Sequence, residues 1–310
     1  MSKTVLFFPG QASQYVGMGK DLFDSSEAVR QLYKLASEEI GADIAALSFE
    51  GPAEELKRTR FTQPAILLHS LAVLTILGDR LPKFDFAAGH SLGEYAAVAV
   101  TGAMSFEDAI KAVVRRASLM EEACQNNPGT MAAMIGLNQQ QIEDVCSKAT
   151  KGLVIPANYN SRTQVAVSGD LPGVDEAIVL AKEAGAKRAM KLEVGGAFHS
   201  PLMESAGDAL GEYLDSIVIN DPATPVVANV TGEKVLSGDE IRALLKTQVT
   251  APVKWAQTME YLVQNGVSHI IEIGPGKVLS GLAKRDMKPE SLISLDTLAD
   301  IEKVVELSDG

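Results

Sequence analysis

The stretch that most constrains the fold of this chain spans residues 84–98, Phe-Asp-Phe-Ala-Ala-Gly-His-Ser-Leu-Gly-Glu-Tyr-Ala-Ala-Val, which reads as strand, sharp turn and helix. The apolar residues through Ala88 suit a buried strand, and the Ala- and Leu-rich run from Leu92 suits a helix. Between them lies Gly89-His90-Ser91-Leu92-Gly93, the Gly-x-Ser-x-Gly pattern of a nucleophile elbow. In such an elbow the serine occupies a strained turn, and the glycines remove side chains that would collide where strand meets helix. The turn presents the Ser91 hydroxyl to a substrate and aims the first helical N–H groups, Leu92 foremost, at a developing oxyanion. Chance alone supplies the pattern roughly 0.1 to 0.2 times in a chain of this length and glycine content, so its meaning rests on its neighbours.

Composition narrows what the turn can belong to. With 46% hydrophobic and 22% charged residues among 310, the chain can build one large domain or two unequal ones. A formal charge of -12 disfavours nucleic acid or anionic membrane as the main partner. The apolar run of residues 5–8 is too short for the hydrophobic region of a signal peptide. Cys124 and Cys146 give neither a disulfide framework nor metal-ligand spacing, so a reducing cytoplasm and inert core thiols are expected.

Residues 4–8 read as a first parallel strand running into Pro9-Gly10-Gln11-Ala12-Ser13-Gln14. Helical patterns start at Asp21 and at Pro64. Residues 65–77 are the most apolar segment, but at about 13 residues they fall short of the roughly 20 that a membrane span needs, and a buried helix is expected. Ser105 should cap a helix over 106–124, which ends in the turn residues Asn126-Asn127-Pro128-Gly129. Strands at 130–137, 153–158, 164–168 and 186–194, with helices at 139–149 and 174–184, then give the order βαββαβ of a ferredoxin-like unit. The expected class is α/β, with a ferredoxin-like small domain at 126–197 inserted into a larger domain made of 1–125 and 198–310. The larger domain resumes with a strand at 226–230, a helix at 253–265 and a strand at 268–273.

A serine needs a base to become nucleophilic, and only four histidines are available. His90 adjoins Ser91, which ordinarily directs its side chain elsewhere. His69 lies among Leu and Ile and reads as core, and His269 opens a strand without special context. His199 stands in Gly195-Gly196-Ala197-Phe198-His199-Ser200-Pro201, where Ser200 fits a helix N-cap and Pro201 the first helical position. The positive end of a helix dipole favours neutral imidazole, the form that accepts a proton. His199 is therefore either the base or a structural loop histidine. On the helix over 106–124, Phe106, Ala109, Ile110, Val113, Val114, Ala117 and Met120 form one apolar stripe. Arg115 falls opposite it and Arg116 on its edge, where Arg116 can either grip a carboxylate in a cleft or form a surface salt bridge.

Taken together, Phe8-Pro9-Gly10-Gln11-Ala12-Ser13-Gln14, Gly89-His90-Ser91-Leu92-Gly93-Glu94, Arg116, Ala197-Phe198-His199-Ser200 and Ile273-Gly274-Pro275-Gly276 resemble the malonyl-CoA:acyl carrier protein transacylases over nearly the whole chain. The resemblance implies an α/β-hydrolase-like large domain with a parallel sheet, and ping-pong transfer of malonyl from malonyl-CoA to the phosphopantetheine thiol of holo acyl carrier protein for fatty acid synthesis. It implies Ser91 as nucleophile, His199 as base, Gln11 and Leu92 as oxyanion-hole donors and the backbone carbonyl of Gln248 as the group that holds the histidine. Arg116 would bind the malonyl carboxylate, with Gln63, His90, Asn158 and Phe198 around the substrate. No metal and no cofactor are expected, the CoA thioester being a substrate, and the expected state is a monomer. Ala12 departs from the family's usual glycine, which predicts strain wherever φ is positive there. Phe198 resembles the malonyl-selective version of its motif, since a ring there crowds a 2-methyl branch. A free-standing acyltransferase of a polyketide synthase shares these motifs. A serine esterase or thioesterase fits the elbow, but no His-Gly-Gly-Gly-type loop appears; a non-catalytic carrier-docking module would leave Ser91, His199 and Arg116 without a purpose. Lys187, Arg188 and Lys191 are the basic residues considered for an acidic carrier.

Overall fold

The computed structural model describes residues 2–308, whose strands form two sheets. In chain order the strands are β1 Lys3–Phe8, β2 Phe86–Gly89, β3 Thr130–Ile135, β4 Val154–Ser161, β5 Gln164–Gly169, β6 Arg188–Lys191, β7 Val226–Val227, β8 Lys234–Val235, β9 Val267–Ile273 and β10 Ser291–Leu295. The larger sheet has the order β10-β9-β1-β2-β7-β8, with every neighbouring pair parallel except β7 and β8. The smaller sheet, β4-β5-β3-β6, is antiparallel throughout. The fold is a mixed α/β arrangement with a parallel-rich sheet.

Val5, Leu6, Phe7 and Phe8 are all buried, as a parallel strand covered on both faces requires. Leu6, Phe8 and Ala87 share a core with the helices Thr59–Leu77, Gly93–Val100 and Phe106–Asn126. The alternate residues Val5, Phe7 and Ala88 pack on the other face with Trp255 and Met259. Phe8 pairs with Gly89, so the chain leaves β1 and β2 side by side at their carboxyl ends, where open α/β sheets bind ligands.

In the smaller sheet Ala132, Met134, Val165 and Val167 face Ile142, Val145, Val174 and Ala177 of the helices Gln139–Lys148 and Leu171–Glu183. Asn138 starts the first helix with a capping box and Asp170 caps the second. Strand β4 is tied to the segment ahead of the helix Trp255–Gln264 at Val253, whose carbonyl accepts from the Tyr159 N–H at 2.9 Å and whose own N–H donates to Ala157 at 2.8 Å.

Besides shifts of a few residues at the ends of other elements, four elements differ from the sequence reading for a physical reason. The apolar helix begins at Thr59, not Pro64, because Pro64 falls in its second turn, where it removes one hydrogen bond without ending the helix. Its 19 residues make it long and apolar enough to cross a membrane, yet nearly all are buried inside the fold. The pattern from Asp21 is two helices, Lys20–Ser25 and Glu27–Ile40, since Ser26 turns extended to cap the second through the Val29 N–H. Ser105 caps as expected, but its helix runs to Asn126. The strand expected over 226–230 shortens to Val226–Val227 because Asn229 turns away to bond the elbow.

Candidate active site

The elbow is built by close approach. A Cβ on Gly89 would lie 2.0 Å from the Gly93 carbonyl, and one on Gly93 would lie 2.2 Å from the Phe8 oxygen, so only glycine lets the helix pack against β1 and β2 here. Ser91 is left-handed, with φ 53°, a conformation that costs an ordinary residue about 1–2 kcal/mol. Asn229 holds it there. Its Oδ1 accepts the Ser91 N–H at 2.7 Å and its Nδ2 donates to the Gly89 carbonyl at 2.6 Å.

His199 is left-handed too, with φ 56°. Its Nε2 lies 2.8 Å from Ser91 Oγ, and its Nδ1 lies 2.8 Å from the Gln248 carbonyl and 3.2 Å from that of Ala251. Carbonyls only accept, so Nδ1 carries the hydrogen and Nε2 is free to take the serine proton. Burial, reinforced by the Arg116 charge, pushes the His199 pKa down to about 3. This corrects the expected cause. Ser200 does accept the Leu202 N–H at 3.3 Å, but the turn that follows, Pro201–Met203, is a three-residue 3-10 element, and burial rather than a helix terminus keeps the ring neutral.

Arg116 is fully buried and Arg115 exposed, as the stripe predicted. The guanidinium donates from Nη1 to Gln63 Oε1 at 2.6 Å, and from Nη2 to Ser91 Oγ at 2.9 Å and to Gln248 Oε1 at 3.1 Å. Its Nε has no partner among the described residues. None of its acceptors is a carboxylate, so a buried cation stands without a counter-ion in contact, and a ligand carboxylate would complete it. The group sits behind Ser91 instead of lining the cleft as the sequence suggested.

A cleft of about 770 Å³ opens over these groups, with Gln11, His90, Leu92, Phe198 and His199 on one side and Met131, Asn158, Asn160 and Val165 of the smaller sheet on the other. The Gln11 and Leu92 N–H groups have no protein acceptor among the described residues, as an oxyanion hole requires. Gln63 both lines the cleft and holds Arg116. His90 donates from Nε2 to Asn160 Oδ1 at 2.8 Å, which fixes that amide in the cleft wall. Lys187, Arg188 and Lys191 are exposed and none lines the cleft, whose basic residues are Lys57 and Arg285. Both cysteines are free thiols, and burial pushes their pKa values up to about 12.

Ala12 has φ 80° and its N–H donates to Gln14 Oε1 at 2.8 Å. The strain expected of alanine is therefore present. Ala12→Gly relieves about 1–2 kcal/mol of it and adds about 0.4–1 kcal/mol of unfolded-chain entropy. We expect net stabilisation near 1 kcal/mol, read as a rise in Tm of a few degrees; an unchanged or lower Tm would show that the loop tolerates alanine without strain.

Three site residues have no assigned role in the sequence reading: Glu94, Asn229 and Asn160. Glu94 is buried, and its Oε2 accepts from Gln248 Nε2 at 2.7 Å and from the Asn229 N–H at 3.2 Å. Burial pushes its pKa up to about 7.

The acyl transferase domain family matches residues 5–300. Malonyl CoA-acyl carrier protein transacylases of Bacillus subtilis and Haemophilus influenzae are each 42% identical, the first over 99% of this chain and 97% of its own length, the second over 99% of both. Among solved structures, the malonyl CoA-acyl carrier protein transacylase of Coxiella burnetii aligns with TM-score 0.93 at 37% identity, covering 98% of this chain and 97% of that one. A malonyl-transacylase in complex with its type II polyketide synthase acyl-carrier protein aligns with TM-score 0.93 at 38% identity, covering 99% and 100%.

Proposed function

Because the chain belongs to the acyl transferase domain family, we propose how its geometry carries out ping-pong transfer on Ser91. The protein is an acyltransferase that moves malonyl from malonyl-CoA to acyl carrier protein for fatty acid synthesis. His199 Nε2 takes the Ser91 proton as Oγ attacks the thioester carbonyl, and the Gln11 and Leu92 N–H groups receive the oxyanion. CoA leaves with the proton from His199; the carrier thiol later gives its proton to His199 as its sulfur attacks the ester, and His199 passes that proton to Ser91 Oγ as the ester bond breaks. Acyl exchange between thioester and ester changes no oxidation state, so the mechanism calls for no redox cofactor.

The observation that carries malonyl as the acyl group is Arg116, buried 2.9 Å from the nucleophile with only neutral acceptors. Acylation turns Ser91 Oγ into an ester oxygen, a weaker acceptor, and frees Nη2 for the malonyl carboxylate. The sheet order supports the finer reading of an α/β-hydrolase-like large domain with a ferredoxin-like unit at 126–197. The proposed compartment is the cytoplasm. A polyketide carrier is the second reading, favoured by the similarity to a polyketide synthase malonyl-transacylase.

Intact-protein mass after incubation with malonyl-CoA, then with holo carrier protein, tests the cycle. A malonyl adduct that passes to the carrier supports transfer; discharge to water at the same rate with or without carrier supports a thioesterase.

Two further outcomes are expected. Neutral His199 is the active form and its pKa is pushed down to about 3, so kcat/KM for loading keeps its base available as pH falls from 7 to 5. An acid limb centred near the ordinary 6.5 that persists in Glu94→Gln, where the buried acid near 7 is gone, would place a solvated histidine in the role. Phe198, buried on the cleft wall, should favour malonyl-CoA over methylmalonyl-CoA by about 1–3 kcal/mol, or roughly 10- to 200-fold in kcat/KM; equal values would remove it from selection.

A further inference from the structure

We propose that Glu94 is a positioning residue for acyl-group selection, acting on Arg116 through the side-chain amide of Gln248. The inference rests on Arg116 as the malonate ligand. Gln248 Nε2 donates to Glu94 Oε2 at 2.7 Å and to the Ser91 carbonyl at 3.0 Å, which leaves its Oε1 facing Arg116 Nη2 at 3.1 Å. An amide can lie either way round, and here the choice matters. Turned over, its NH₂ would meet the guanidinium donor to donor, and the Glu94 oxygen would meet Oε1 acceptor to acceptor. Glu94 Oε2 already accepts the Asn229 N–H and so meets the amide as an acceptor, which admits one orientation.

Glu94 is itself fixed. It is the sole charged residue of the helix Gly93–Val100, is wholly buried, and makes no hydrogen bond to a cation; its Oε2 also accepts the Asn229 N–H at 3.2 Å. A buried acid without an ion-pair partner costs stability, and its pKa near 7 reflects that burial. The amide it orients touches the cation, while the backbone carbonyl of the same Gln248 holds His199. Side chain and main chain of one residue thus serve separate tasks: one steers the acyl-group clamp and the other the base.

The test compares kcat/KM for Ser91 loading from malonyl-CoA and from acetyl-CoA, read by intact mass. In Glu94→Leu the malonyl-to-acetyl ratio should fall tenfold or more, mainly through a higher KM for malonyl-CoA. Gln248→Met should lower the ratio by as much, and the double variant no further. Glu94→Gln, whose Oε1 still accepts both N–H groups, should recover most of the ratio. Equal falls in both substrates, or losses that add in the double variant, overturn the inference. Where Glu94→Leu fails to fold, Gln248→Met decides it: an unchanged ratio there overturns it equally. Arg116→Ala separates the premise from the inference, because a ratio that survives in that variant sinks the clamp itself.

Discussion

Replacing Ser91 by alanine is expected to abolish the malonyl adduct and to lower kcat for transfer by about 10⁶-fold, the scale at which loss of the nucleophile disables a serine enzyme. The loss should be nearly all chemical. Ser91 Oγ takes part in two hydrogen bonds, with His199 Nε2 and Arg116 Nη2, and the turn itself is held by the main-chain bond to Asn229. An alanine in that left-handed turn keeps the same backbone demand, so the fold and the cleft should persist and malonyl-CoA should still bind. His199→Ala in the same background should add little, because the two groups act as one unit. A Ser91→Ala protein that still acquires malonyl mass would move the covalent step to another side chain.

Arg116→Ala is expected to cut kcat/KM for malonyl loading by roughly 30- to 5,000-fold, the 2–5 kcal/mol that follows when one partner of a buried charged pair is removed. Acetyl loading should fall far less, because acetyl presents no carboxylate, so relative activity on acetyl-CoA rises. Some loss on both substrates is built in. The truncation leaves the oxygens of Gln63 and Gln248 unpaired in the interior and removes a donor from Ser91 Oγ. Arg116→Lys is not a rescue: an ammonium offers no planar fork to reach Gln63, Gln248 and Ser91 together. If malonyl loading survives intact in Arg116→Ala, the carboxylate is held elsewhere, and Lys57 or Arg285 on the cleft wall is next to be tested.

The elbow was legible because its cause is local: two glycines and a serine, a strand before and a helix after. Arg116 and Arg115 were separable because helical spacing alone decides which one is buried. Chemistry alone narrowed four histidines to His199 as base or structural loop residue, and the family resemblance gave it the base role; the cause of its neutrality was misread as a helix dipole, since burial depends on chain segments far apart in sequence. Asn229 lies 138 residues from the Ser91 it supports, and Gln248 lies 154 from Glu94. Glu94 did leave a trace. One acid inside the otherwise apolar run Gly93–Val100 signals a buried, partnered carboxylate, and Asn229 at the end of Val226-Val227-Ala228 signals the same for an amide. Pro64 misled because a proline reads as a start, although an early helical turn can absorb it.

The two walls of the cleft come from different sheets. Gln11, Ser91, Leu92 and His199 stand beside the larger one, while Met131, Asn158, Asn160 and Val165 belong to the smaller. The nucleophile and the proposed clamp on the acyl carboxylate therefore share one part of the chain, and the smaller sheet closes the cleft from the other side. A chimera with another smaller sheet would reshape one wall of the cleft, while Arg116 and Phe198, on which the choice of acyl group rests, stay with the nucleophile.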